Sequence, residues 1–217
     1  MAGVIPALVL AAGRSSRMGR AKALLSVDER DTFLSRIVRT FLDADVDDVV
    51  VVVGHEPDAI VHSLAATGLP ARVVVNREYD RGQLSSLVAG LRVIDRPGVS
   101  ATLVTLVDVP FASTATVRAI IARYRDSGAR VVRPTSGTRH GHPMLIDRSL
   151  FDLLRHADPG AGAKPIIRAH ATPIGDIAID DEGAFVDIDT AEEYARAIAD
   201  RSNGGAASAR APSNEPA

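Results

Sequence analysis

The chain has no cysteine. That single absence excludes disulfides, thiolate zinc sites, iron–sulfur clusters and a cysteine nucleophile, and it fits a reducing, cytoplasmic location. Tryptophan is also missing, and aromatic residues make up only 4% of the 217. A stacking platform for single-stranded nucleic acid is hard to build from that stock. Nor is there a surplus of positive charge: 25 Lys and Arg stand against 27 Asp and Glu, a formal net charge of −2. Binding along a duplex wants excess cations, so no nucleic-acid partner is expected. No apolar run approaches about 18 residues, so no membrane span is expected either. Residues 4–13 are apolar enough for the core of a secretory signal. Their cations, however, follow them (Arg14, Arg17, Arg20 and Lys22) where a signal peptide wants them ahead. The stretch reads instead as a buried first strand.

What is present is a hydrophobic share of 46%, enough for the core of one domain or slightly more, laid out as a repeating unit of apolar run, turn and amphipathic stretch. Strands are predicted at 5–10, 49–53, 72–75, 101–107, 130–133, 144–146 and 174–179. Helices are predicted at 32–42, 58–66, 84–94, 114–124, 150–155 and 191–199. The five consecutive valines at 49–53 suit a strand covered on both faces. This alternation predicts an α/β fold with a mostly parallel central sheet and helices on both faces. Ligands of such sheets bind outside the carboxyl ends of the strands. The domain is expected to occupy 1–201, and the Ala-, Gly-, Ser-, Pro- and Asn-rich stretch 202–217 to be an unstructured tail.

Leu10 is followed by Ala11-Ala12-Gly13-Arg14-Ser15-Ser16-Arg17-Met18-Gly19-Arg20-Ala21-Lys22, with four cations and no acid before Asp28. Small residues let a phosphate approach the backbone, and Gly13 and Gly19 permit turns that aim N–H groups at one point. Arg17 and Lys22 supply charge of the sign a triphosphate needs. An ordinary strand–helix connection with solvent-facing cations is the competing reading. The segment closely resembles the signature of the molybdenum-cofactor nucleotidyltransferases, Leu-Ala-Ala-Gly-x-Ser-x-Arg-Met-Gly with a Lys shortly after. These belong to the wider MobA-like group, which moves a nucleotide from an NTP to a small phosphorylated acceptor.

The resemblance continues to about residue 194. It implies a Rossmann-like, three-layer fold of the nucleotide-diphospho-sugar transferase type. It implies that Leu10, Ala11, Ala12, Gly13, Arg14, Ser15, Arg17 and Lys22 hold the nucleotide, with Arg17 and Lys22 also catalytic. Asn76 ends a predicted strand, where an amide suits a base edge or ribose hydroxyl. Gly82, Gln83, Ser86 and Leu87 match the family's Gly-Gln-x-x-Ser-Leu beside the nucleotide. Helix capping is the competing reading for Ser85 and Ser86.

Asp108 ends a predicted strand and faces the expected crevice. Mg²⁺ combines one or two carboxylates with phosphate oxygens. The resemblance makes Asp108 the metal-holding and catalytic aspartate, joined by Asp189 of the Asp187-Ile188-Asp189-Thr190 segment. By alternation Asp187 and Asp189 point one way while Val186 and Ile188 point inward. An N-cap role competes for Asp189.

On the acceptor side the family match rests on Gly141-His142-Pro143. His140 and His142 also invite a metal reading, but a third ligand is not in view. Lys164 stands where the family has Arg. Gly160 stands in place of an Asp, and Val109 in place of the Gln common in cytidylyltransferases. His142, Pro143 and Lys164 are thus the expected acceptor residues, with the acceptor left open. Relatives that use GTP carry Leu-Ala-Gly-Gly; Ala12 favours CTP by crowding a purine. The resemblance therefore implies a Mg²⁺-dependent cytidylyltransferase acting on molybdopterin, with a molybdenum hydroxylase as receiver of the product. A sugar or polyol phosphate acceptor, or GTP in place of CTP, is the near alternative, and a non-catalytic carrier of the molybdenum cofactor the distant one.

Overall fold

A computed structural model describes residues 3–46 and 48–208, with side chains as far as Arg201. Its elements are β1 (Ala7–Ala11), α1 (Phe33–Asp43), β2 (Val49–Val53), α2 (Pro57–Ala66), β3 (Ala71–Val75), α3 (Gln83–Ile94), β4 (Ala101–Leu106), α4 (Thr114–Ser127), β5 (Val131–Ser136), β6 (Arg139–His140), β7 (Met144–Asp147), α5 (Phe151–Arg155), α6 (Lys164–His170), β8 (Asp176–Ala178) and α7 (Ala191–Ser208). The sheet order is β3-β2-β1-β4-β7-β5-β6, with β8 beside β5.

Alternation along each strand sorts the core into two layers. Val49, Val51 and Val53 join Ala7, Val9 and Ala11 against Ile37, Val38 and Phe41 of α1, Ile60 and Leu64 of α2, and Val117 and Ile120 of α4. Val50 and Val52 join Leu8 and Leu10 on the other face, under Leu87 and Leu91 of α3, Phe151 and Leu154 of α5, and Ile167 of α6. All five valines of β2 are buried, which accounts for an apolar run without alternation. The expected three-layer α/β fold is the fold observed.

Register positions the site. β1 pairs in parallel with β2 (Ala11 opposite Val53) and with β4 (Leu10 opposite Leu106). The carboxyl ends of three strands therefore form one ledge, and the chain leaves β1 with a neighbour on each side, the arrangement that opens a crevice in such sheets.

The far half of the sheet departs from the parallel expectation. β7 runs antiparallel to both β4 and β5, and β6 antiparallel to β5. β6, two residues long, and α6, seven, were too short to announce themselves by periodicity. β8 is shorter than the predicted 174–179 strand because a 3-10 turn takes Pro173–Gly175. Val186 is a further correction. Ile188 is fully buried, but Val186 is 39% exposed, since residues 186–189 form no strand and strict alternation has nothing to enforce it. α7 outruns the predicted 191–199 and enters the stretch expected to be an unstructured tail; residues 209–217 lie outside those described.

Candidate active site

The loop after β1 turns at residues other than the two glycines would suggest. Gly19 has φ +65°, but the second left-handed position is Ser15, with φ 49°. Its hydroxyl accepts the Lys22 backbone N–H at 3.1 Å, tying the two sides of the loop together and offsetting the backbone strain. Gly13 needs no positive φ. A Cβ there would meet no atom within 4 Å, so its smallness leaves room in the crevice rather than enabling a turn.

Lys22 is the hub. Its side chain is only 10% exposed, and its Nζ donates to Asp108 Oδ2 at 3.2 Å and to Asp189 Oδ1 at 2.5 Å. Arg17 reaches Asp189 Oδ2 at 3.1 Å from solvent. The Lys22 hydrogen bond holds the Asp189 carboxyl below the ordinary carboxylate range. Asp108 lies two residues past β4, and its Oδ1 is buried with no hydrogen-bond partner. An unpaired buried carboxylate oxygen is costly and marks a place prepared for something else.

Asp189 is free for this role because it does not cap α7. Thr190 does, accepting the Glu193 N–H at 3.2 Å. The Glu193 carboxylate in turn accepts the backbone N–H groups of Asp189 and Thr190 at 2.7 and 2.9 Å, a reciprocal capping box. Asp187 joins the cluster. Burial and the nearby Asp108 carboxylate hold its carboxyl above the ordinary range, while His142 and Lys22 pull the other way.

Arg17, Lys22, Asp108 and Asp189 rim a cavity of about 350 Å³. Of the residues expected to bind nucleotide or metal, Leu10, Ala11, Ala12, Gly13, Ser15, Arg17, Lys22, Gly82, Gln83, Ser86, Asp108 and Asp189 line it. Asn76 does not. It is buried one layer behind, its amide donating to Ser85 Oγ and Ser86 Oγ at 2.9 and 3.0 Å, while its Oδ1 accepts the Glu78 N–H. Neither serine caps α3, whose N-cap is Gly82; Asn76 instead sets the Ser86 hydroxyl in the cavity wall. Arg14 is also outside the lining, near the ring of Tyr79.

The expected acceptor residues are scattered. His142 is half-buried, with Nδ1 3.3 Å from the Val104 carbonyl and its backbone N–H donating to the Ala184 carbonyl. Burial pushes its imidazole below the ordinary range. Pro143 sits in a small apolar hollow with Ile37 and Phe41. His140 points elsewhere, 3.8 Å from Asp176, so the two histidines do not converge. Lys164 opens a neighbouring cavity of about 240 Å³ that shares Gly82 and Gln83 with the first.

Tyr79 and Ile60 line the main cavity and were missed. The signal for Tyr79 was Gly54. A Cβ at Gly54 would fall 2.5 Å from Tyr79 Cβ, but only the fold brings the two together.

Fold and crevice together define an α/β protein of the nucleotide-handling class. Residues 7–174 match the family model of the MobA-like NTP transferase domain. The chain belongs to that family and is a nucleotidyltransferase at that level. It is 31% identical to nicotine blue oxidoreductase of Paenarthrobacter nicotinovorans, over 89% of this chain and 96% of that one. It is 30% identical to a probable molybdenum cofactor guanylyltransferase of Mycobacterium tuberculosis, over 67% and 69% of the two chains. Among solved structures, Rv0371c of Mycobacterium tuberculosis superposes with a TM-score of 0.77 at 27% identity, covering 92% of this chain and 99% of that one. A manganese complex of Rv0371c gives 0.74 at 25%, covering 92% and 100%. No helix among the described residues is long and apolar enough to cross a membrane.

Proposed function

We propose that the protein transfers CMP from CTP to the phosphate of molybdopterin and releases pyrophosphate. The observation that carries this reading is the buried, unpartnered Asp108 Oδ1 beside a cationic loop at the carboxyl end of the sheet. A carboxylate in that state favours a cation. Among the described residues no three His, Cys, Asp or Glu side chains converge to hold a metal. Mg²⁺, however, ordinarily takes one or two carboxylates and completes its shell with substrate phosphates and water. Asp108 and Asp189 fit that donor set. Bound there, the ion would act as a Lewis acid on the phosphate oxygens.

The chain's own residues supply the rest. Small residues at 11–13 leave the backbone open to phosphate. A bound triphosphate gives Lys22 and Arg17, now engaged by aspartates, new anionic partners on the leaving pyrophosphate. The acceptor phosphate is already anionic, so no strong base is needed; alignment and charge neutralisation are the task. CTP is favoured by Ala12. Its methyl lies in the cavity wall, where it takes space that the larger purine ring needs more than a pyrimidine does.

A second reading keeps the chemistry and changes the acceptor to another small phosphate, and is favoured by the placing of Pro143 in a separate hollow and by Lys164 and Gly160. The test is pyrophosphate release with each NTP, Mg²⁺ or Mn²⁺, and molybdopterin or a panel of sugar and polyol phosphates. The first reading expects CTP and molybdopterin to be the fastest pair. Release with GTP well above CTP overturns the base assignment. Stoichiometric binding of molybdopterin without release identifies a carrier. Oxidoreductase turnover of nicotine blue in place of NTP consumption would align this chain with the activity in its Paenarthrobacter relative's name.

A further inference from the structure

The base end of the cavity has a wall that no phosphate chemistry explains. Tyr79 sits in the 3-10 turn Tyr79–Arg81, between Asn76 and the Gly82-Gln83 segment, and lines the cavity with Ala12, Gly13 and Gln83. It is half-buried and held from three directions. Gly54, just past β2, has no side chain, and a Cβ there would overlap Tyr79 Cβ and Cγ at 2.5 and 2.7 Å. The phenol Oη lies 3.3 Å from His55 Nδ1, with the two rings 5.9 Å apart. The Arg14 guanidinium carbon stands 5.7 Å from the ring centroid, within cation–π range. A surface aromatic with no ligand to meet would not need a glycine cleared beneath it, a hydrogen bond on its hydroxyl and a cation at its ring.

We infer that Tyr79 is the surface on which the nucleobase of the bound NTP lies, with Gly54, His55 and Arg14 fixing the ring. The inference rests on the nucleotide reading of this cavity and adds where the base goes. Every base has a π-face, so stacking raises affinity for all NTPs alike. Choice among bases falls to Ala12 on the neighbouring wall. Arg14, outside the cavity lining, then acts as a positioning residue through Tyr79.

The chain makes a direct test available. It has no Trp and only three Tyr, so intrinsic emission comes from tyrosine, and a base stacked on Tyr79 should quench part of it. Full-length protein is titrated with CTP, GTP and inorganic tripolyphosphate in the presence of Mg²⁺, by fluorescence and by calorimetry. CTP and GTP should quench emission, and tripolyphosphate should bind without quenching. Tyr79→Phe should keep the affinity and lose that part of the quench. Tyr79→Ala and Tyr79→Leu retain the Cβ that Gly54 accommodates. Both should weaken CTP and GTP by a factor of about 5 to 100 and leave tripolyphosphate affinity unchanged. Equal affinity of wild-type protein for CTP and tripolyphosphate overturns the inference while leaving the phosphate cradle standing. So does an unchanged CTP affinity in Tyr79→Ala or Tyr79→Leu. Binding of neither ligand overturns the cradle and the inference together.

Discussion

At the scale of single residues, Asp108 and Lys22 answer to opposite demands. Asp108 carries a buried oxygen without a hydrogen-bond partner, so it costs the fold something. Asp108→Asn is expected to reduce pyrophosphate release by about a hundredfold or more while leaving the melting temperature equal or higher. A fall in stability with activity intact would refute its assignment as metal ligand. Lys22→Ala should behave differently. It removes the ammonium shared by Asp108 and Asp189 and leaves Asp108 unneutralised beside Asp187, with Asp189 still paired to Arg17. Removing one partner of a buried ion pair costs about 3–5 kcal/mol. Asp189 is one-third exposed, so solvent screening brings the expectation to about 1–2 kcal/mol in urea unfolding, together with loss of activity. Lys22→Arg should recover stability more fully than turnover, because the guanidinium fork cannot reproduce a point charge at the same place.

Among the elements, the loop after β1 and the start of α7 bring the cationic and anionic sides of the site together. Both are held by local hydrogen bonds as well as by the packing of Met18, Ile188 and Tyr194 around Leu25, Phe33 and Phe111. The Thr190–Glu193 box fixes where α7 begins and so where Asp189 stops. Thr190→Ala is expected to cost about 0.5–2 kcal/mol, read as a lower urea midpoint. It should also lower turnover without shifting the nucleotide KM in proportion, since the cavity walls other than Asp189 stay in place. Thr190→Ser should restore both. The Thr-x-x-Glu pattern stands in the sequence at 190–193, but Asp189 beside it is an equally good capping residue type, and sequence alone does not choose between them. The helices with wide apolar stripes, α1 and α3 above all, were legible because burial on a two-sided sheet imposes a period of 3.6. β6 and α6 were not, because two and seven residues carry too little periodicity to stand out.

For the whole molecule, charge pairing sets the pH range of stability. Burial raises the carboxyls of Asp31, Asp48, Asp147 and Asp181, but hydrogen bonds from Arg39, Arg72, Ser149 and Thr116 among others outweigh it, and all four lie below the ordinary value. Hydrogen bonds from Arg155 and Arg148 bring Asp95 down as well. A depressed folded-state pKa contributes stability above the unfolded value, about 3.8; that contribution is lost as pH falls through the folded values. The urea midpoint should therefore drop steeply below about pH 4, and Asp95→Asn should flatten part of the fall. At the alkaline end the sign reverses. Burial and the hydrogen bond to Asp147 push the Tyr124 hydroxyl up to about 12. Its contribution is complete below pH 10 and disappears as pH rises through 12, a loss that Tyr124→Phe should remove from the same unfolding series.

The sequence by itself determined the alternating layers, the small-residue loop after β1 and the identity of its cations, because hydrophobic period and residue size are local properties. Only the tertiary structure decided that Lys22 lies between two aspartates 86 and 167 residues away, that Asn76 works from behind Ser86, that His142 turns to the Val104 carbonyl, and that Tyr79 faces the cavity over Gly54. Those facts depend on parallel register bringing separate strand ends to one ledge, and no local pattern encodes which ends will meet.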